Sequence, residues 1–169
     1  MASESARATT AAEARFRVAT PNSLPRQVTV IALDRASEPV VQRLSRMSWA
    51  RANFLTASAF TGGVAAQKDF SIDGWLIDLA GRTKSLLAEV AQADLVVMVA
   101  TMGAPAQAGA IIGEACRAHN VMTTALVLTA AQTGKVAADT LAHLRPHAST
   151  LVSASSPDYI EDMLVALRA

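Results

Sequence analysis

The chain has 169 residues, 51% of them apolar but only 4% aromatic, with 15 basic and 14 acidic side chains. That length fits one domain, and a core built from Ala, Val, Leu and Ile points to a sheet covered by helices over an all-β sandwich. A net charge of +1 with no Lys/Arg stripe interleaved with aromatics excludes a nucleic-acid surface, and no apolar run approaches the roughly 20 residues of a spanning helix, so no membrane partner is expected.

Residues 1–26 are rich in Ala, Ser, Thr and Arg, and four Arg face two Glu there. They lack the uninterrupted apolar core of a secretory signal, and Glu4 and Glu13 are foreign to transit peptides. The segment is expected to be a tail or an arm laid on a neighbour, with 27–169 a single domain.

The run 28–33 is continuous, β-branched and apolar, the pattern of a strand buried on both faces, and it ends in Asp34. Ser37 then stands where it can cap a helix with Pro39 in its first turn, and Val40, Leu44 and Met47 recur at helical spacing. A short second strand is expected at 53–57. Residues 58–71 read as a loop holding Gly62-Gly63, and 75–78 is either a third, edge strand or the start of the next helix.

A helix at 82–93 with Leu86, Leu87 and Val90 on one side leads into the clearest strand, 95–100. Thr101-Met102-Gly103-Ala104-Pro105 then turns into a helix reaching about His119, whose small residues let its backbone approach the sheet. A fifth strand at 121–128, a helix at 135–144 stopped by Pro146, and a sixth strand at 150–153 follow. Ser156-Pro157-Asp158 combines a capping hydroxyl, a Pro at the first helical position and an acid near the dipole, with Ile160, Met163, Leu164 and Leu167 at helical spacing behind it.

Strands alternating with helices imply right-handed crossovers and a three-layer, Rossmann-like α/β fold with a parallel sheet in the order 3-2-1-4-5-6 and helices on both faces. Strands one and four are then neighbours whose helices leave on opposite faces. The crevice between their carboxyl ends is the expected ligand site, lined by Asp34, Arg35, Ser37, Thr101, Gly103, Ala106, Gln107, Ala108 and Gly109.

Within that set, the free amides of Ala106, Gln107 and Ala108 at a helix start suit a phosphate or carboxylate. Gln107 can read an amide or hydroxyl edge. Asp34 can bind a ribose or amine, orient a water, or cap the next helix, and across the crevice it would repel a bare anion. Arg35 can clamp an anion or pair with Asp34 at the surface.

The single cysteine, Cys116, excludes an internal disulfide and a structural zinc cluster, and suits a reducing cytoplasm. Mid-helix on a small-residue face, it reads as a buried inert thiol. His119 sits at a helix C-terminus, a favourable place for a cation. Pro146 separates His143 from His147, so their spacing supports no metal site. Gly62-Gly63 with Lys68 lacks the adjacent Lys-Ser/Thr of a phosphate loop.

The stretch Ala93-Asp94-Leu95-Val96-Val97-Met98-Val99-Ala100-Thr101-Met102-Gly103 resembles the strand entering the phosphate loop of the tubulin/FtsZ GTPase family. The helix at 106–119, the strand at 121–128 and the segment 141–153 fall in that family's order, so the resemblance spans about residue 27 onward. It implies the fold and a rim location for a ligand. The family's glycine-rich signature is here Gly103-Ala104-Pro105-Ala106-Gln107-Ala108-Gly109, with only the outer glycines kept, and its first glycine-rich turn is replaced by Asp34-Arg35-Ala36-Ser37. The chain ends before the long helix, acidic loop and second domain that complete the family's hydrolytic site, so GTP hydrolysis is not expected.

These readings lead to a non-hydrolysing module that binds a small anionic molecule, a nucleotide being one candidate, and works as a homo-oligomer. A small enzyme using Asp34 as acid or base is the second reading, and an interaction protein with an empty, degenerate site the third. No metal is expected.

Overall fold

In the computed structural model the described residues are 25–57, 75–129 and 135–169. The expected arm at 1–26, for nearly all its length, and the loop with Gly62, Gly63 and Lys68 lie outside them.

The elements in chain order are β1 Val28–Ala32, α1 Glu38–Ser45, β2 Ala52–Thr56, β3 Trp75–Asp78, β4 Thr83–Ser85, α2 Leu86–Gln92, β5 Leu95–Thr101, α3 Gln107–Ala118, β6 Met122–Leu128, α4 Lys135–Leu144, a 3₁₀ turn at Arg145–His147, β7 Thr150–Ala154 and α5 Pro157–Ala166. They build one seven-stranded sheet in the order β4-β3-β2-β1-β5-β6-β7. Counting only the six strands expected from the sequence, this is 3-2-1-4-5-6, a three-layer Rossmann-like α/β fold.

All of β1 is buried, since it lies between β2 and β5 and is covered on both faces. Its alternate side chains serve two cores. Val28, Val30 and Ala32 join Leu95, Val97 and Val99 on the side where Val41 and Leu44 of α1 and Ile160 and Leu164 of α5 pack. Ile31 joins Val96, Met98 and Ala100 on the side of Leu86 and Val90 of α2, Ile112 and Cys116 of α3, and Leu144 of α4. The helices after β1 and β5 therefore leave on opposite faces, the condition for a switch point between those strands.

Three local expectations need correction. The segment 75–78 is a strand, but it is not at the edge and not parallel: β3 pairs antiparallel with β2 on one side and with β4 on the other. The residues 83–85, expected inside a helix, form β4, and α2 starts only at Leu86. The cause is the turn between β3 and β4. Asp78 Oδ1 accepts the backbone N–H groups of Ala80 and Arg82, both at 2.9 Å, and Gly81 takes a φ of +80°. A four-residue connection of this kind can join only antiparallel strands, whereas a parallel neighbour needs a long crossover. The Arg82 backbone N–H and its guanidinium together hold the Asp78 carboxyl below its usual range.

The third correction concerns α1. Ser37 stands at its N-cap position, but its hydroxyl makes no cap bond and turns back to Asp34. The buried face is Val41 and Leu44, while Met47 is exposed. By contrast, α5 starts as expected, with Ser156 Oγ accepting the N–H of Asp158 at 3.2 Å and Pro157 in the first turn. No helix among the described residues is long and apolar enough to cross a membrane.

Candidate functional site

The carboxyl ends of β1 and β5 meet at Asp34 and Thr101. Asp34 is 2% exposed, and both its carboxylate oxygens are used. Oδ1 accepts the N–H of Ser37 at 2.9 Å, and Oδ2 crosses the crevice to accept the N–H of Thr101 at 2.7 Å. The Ser37 hydroxyl, itself buried, donates to the Asp34 carbonyl at 2.9 Å. Thus 34–37 is a closed turn, and its acidic side chain staples the first strand to the fifth. Charge-assisted bonds to two backbone amides hold the carboxylate in place.

The carboxylate thus takes up the amides of Ser37 and Thr101 at the carboxyl ends of the two strands. Of the ligand-directed and structural roles read for Asp34, the geometry displays the structural one. The side chain spans two strands, which is more than the local cap expected. Arg35 is exposed and makes no ion pair among the described residues, so the expected Asp34–Arg35 surface pair is absent.

The β5–α3 turn faces elsewhere. Gly103 adopts a φ of +85°, a conformation that costs a residue with a Cβ roughly 1–2 kcal/mol. Its N–H donates to Thr140 Oγ1 at 3.0 Å, and that hydroxyl donates to the Ala104 carbonyl at 3.3 Å, so the turn is fastened to α4. Ala106 takes the N-cap position of α3 without any side-chain cap. A helix start left in this state presents amide donors and the positive end of the dipole.

An open cavity of about 210 Å³ adjoins that start, lined by residues 103–107 together with Asp139, Thr140 and His143 of α4. His143 Nδ1 lies 2.7 Å from the Asp139 carbonyl, a contact that requires a proton on Nδ1 and leaves Nε2 with a lone pair when the ring is neutral.

The nine expected site residues thus separate into groups. Asp34, Ser37 and Thr101 form the staple; Gly103, Ala106 and Gln107 line the cavity; Ala108 and Gly109 are buried in the wall behind it, and Arg35 stands apart. Asp139, Thr140 and His143 were not anticipated as lining residues. Their spacing of one and four places them on one side of a helix, a signal that exists in the sequence but acquires meaning only when α4 is known to pack beside the β5–α3 turn. His143 and His147 line different cavities, and no group of three metal-binding side chains occurs among the described residues.

Cys116 is fully buried in the core beneath α3, and desolvation pushes its thiol up to about 12. A thiol of that kind is no nucleophile at neutral pH. Because its folded pKa lies above the ordinary value of 9.0, its contribution to stability is complete below pH 9 and is lost as pH rises toward 12. Denaturant titrations across that window are expected to show stability falling with pH in the native protein and a shallower fall in Cys116→Ala. Equal slopes would mean that the thiol ionises freely in the folded state.

No protein-family model matches this chain, and no curated protein matches it significantly.

Proposed function

We propose that the chain is a non-hydrolysing Rossmann-like module that binds a small anionic molecule, in the cavity between the β5–α3 turn and α4. The observation that carries this reading is the uncapped start of α3 opening onto that cavity at the carboxyl end of the sheet. Sites for drug-sized ligands enclose roughly 300–1,000 Å³, so a cavity of about 210 Å³ favours a single phosphate or carboxylate group over a whole nucleotide. Asp139 in the lining favours a ligand that carries a hydroxyl or ammonium beside its anionic group.

From the tubulin/FtsZ resemblance this reading takes the fold and the rim location only. The bonds made by Asp34 argue against its use as an acid or base. Assembly into a homo-oligomer remains part of the proposal and is supported by the open edge of β7, where Leu151 and Val152 are half-buried and no further strand pairs among the described residues. A cytoplasmic setting rests on the lone, buried thiol.

Titration of the full chain with inorganic phosphate, followed through backbone amide NMR signals, tests the site. Saturable shifts at residues 103–108 with millimolar affinity are expected, and Gly103→Val should abolish them by straining the turn. Absence of a saturable response at these amides in the unmodified protein would overturn the reading. Native mass spectrometry of the same sample reports the subunit count.

A further inference from the structure

At the opposite end of the sheet, roughly 20 Å of strand away from the rim, lies a larger open cavity of about 380 Å³. It sits where the C-terminal end of α3, the start of β6 and the 3₁₀ turn before β7 converge. Its polar lining comes from Arg117, Asn120, Thr123, His147 and Ser149, and no acidic side chain contributes.

The walls are held by bonds that use the Thr123 hydroxyl and only part of the Arg117 guanidinium. Thr123 Oγ1 donates to the His147 carbonyl at 3.0 Å and accepts the Ser149 N–H at 3.1 Å. Arg117 spends one N–H on the Pro146 carbonyl at 3.2 Å and has no carboxylate partner among the described residues. The negative end of the α3 dipole is masked there, because the carbonyls of Ala115, Cys116 and Arg117 accept the N–H groups of His119, Val121 and Asn120. Asn120 serves this cap with its backbone at a φ of +55°, and its side chain is exposed.

His147 lines the same cavity, and its Nδ1 is buried with no hydrogen-bond partner among the described residues.

We propose that this cavity is a second binding site, independent of the rim, for a small oxyanion such as a carboxylate or phosphate group, with Arg117 as its fixed charge. A guanidinium retains donors for a bidentate contact after giving one N–H away.

The test uses the full chain titrated separately with inorganic phosphate and with acetate, read by NMR at the amides and side-chain amide of 117–123 and 147–149. Saturable shifts are expected there with at least one of the two anions. Arg117→Ala, a change at an exposed residue, should weaken that response at least about tenfold while leaving the shifts at 103–108 unaltered. A linear, non-saturating response to both anions, or equal affinity in Arg117→Ala, would overturn the proposal and assign the cavity to solvent. Since the two cavities are read through different amides, failure here and failure at the rim are distinguishable.

Discussion

Replacing Asp34 by Ala is expected to lower the unfolding free energy by about 2–3 kcal/mol, read as a fall in the urea midpoint at unchanged slope. The reason is the pair of backbone donors that its carboxylate serves, Ser37 N–H at 2.9 Å and Thr101 N–H at 2.7 Å, in a side chain 2% exposed. The Thr101 N–H would be left without a partner in a buried setting, which costs roughly 1–3 kcal/mol, while the Ser37 N–H would keep its longer bond to the Asp34 backbone carbonyl at 3.2 Å.

Asp34→Asn retains one carbonyl oxygen but turns an NH₂ group toward the other donor, so an intermediate loss of about 1 kcal/mol is expected. Arg35→Ala, next in the chain but exposed, should stay within about 0.5 kcal/mol of the native protein. A cost below about 1 kcal/mol for Asp34→Ala would remove the staple from the account of the crevice. Because Asp34 does not line the rim cavity, the phosphate response at 103–108 should survive in any Asp34 variant that folds.

The second large effect is expected at Gly113. A Cβ there would stand 2.5 Å from His147 Cβ and 2.9 Å from the His147 carbonyl oxygen. To admit it, the backbone of the 3₁₀ turn must retreat from α3, loosening the Thr123 and Arg117 bonds that fasten the turn. Overpacking of this kind costs typically 1–3 kcal/mol, partly offset by the better helix propensity of Ala, so a net loss of about 2 kcal/mol is expected for Gly113→Ala.

Gly109, one turn earlier, supplies the contrast. A Cβ there would meet the Leu144 Cδ2 atom at 2.5 Å and Leu33 Cδ1 at 3.4 Å, both at the ends of side chains that can rotate. Gly109→Ala should therefore cost less, about 1 kcal/mol. Thermal or urea unfolding of the two variants side by side checks the order, and a larger loss at Gly109 would mean that the turn yields more readily than the core.

The small residues of α3 thus serve two different approaches. Sequence alone suggests a helix backbone lying close to the sheet, and around Gly109 the neighbours Leu33 and Met98 agree with that. At Gly113 the close neighbour is the turn after α4, 34 positions along the chain, and no local pattern specifies it.

The central strands, their order, the placement of helices on both faces and the switch point between β1 and β5 are legible in the chain before it folds. These follow from local signals: continuous β-branched runs such as Val28–Ala32, helical periodicity, and the Ser156-Pro157-Asp158 start, each a property of a few adjacent residues. The β3–β4 hairpin was also written locally, in Asp78 and Gly81 around a four-residue turn, but its short strands are hard to tell from a helix start until a partner strand is in place.

The bonds of the rim residues are set by contacts between distant elements. Asp34 is an ordinary acidic residue at a strand end until β5 brings an unpaired amide to it across 67 positions of chain, and Gly103 meets Thr140 across 37. The first contact closes the crevice that the topology predicts, and the second turns the β5–α3 loop toward α4 and opens a cavity there. Hydrogen-bond partners chosen at such separations depend on the packing of whole elements, and side-chain type alone does not encode them.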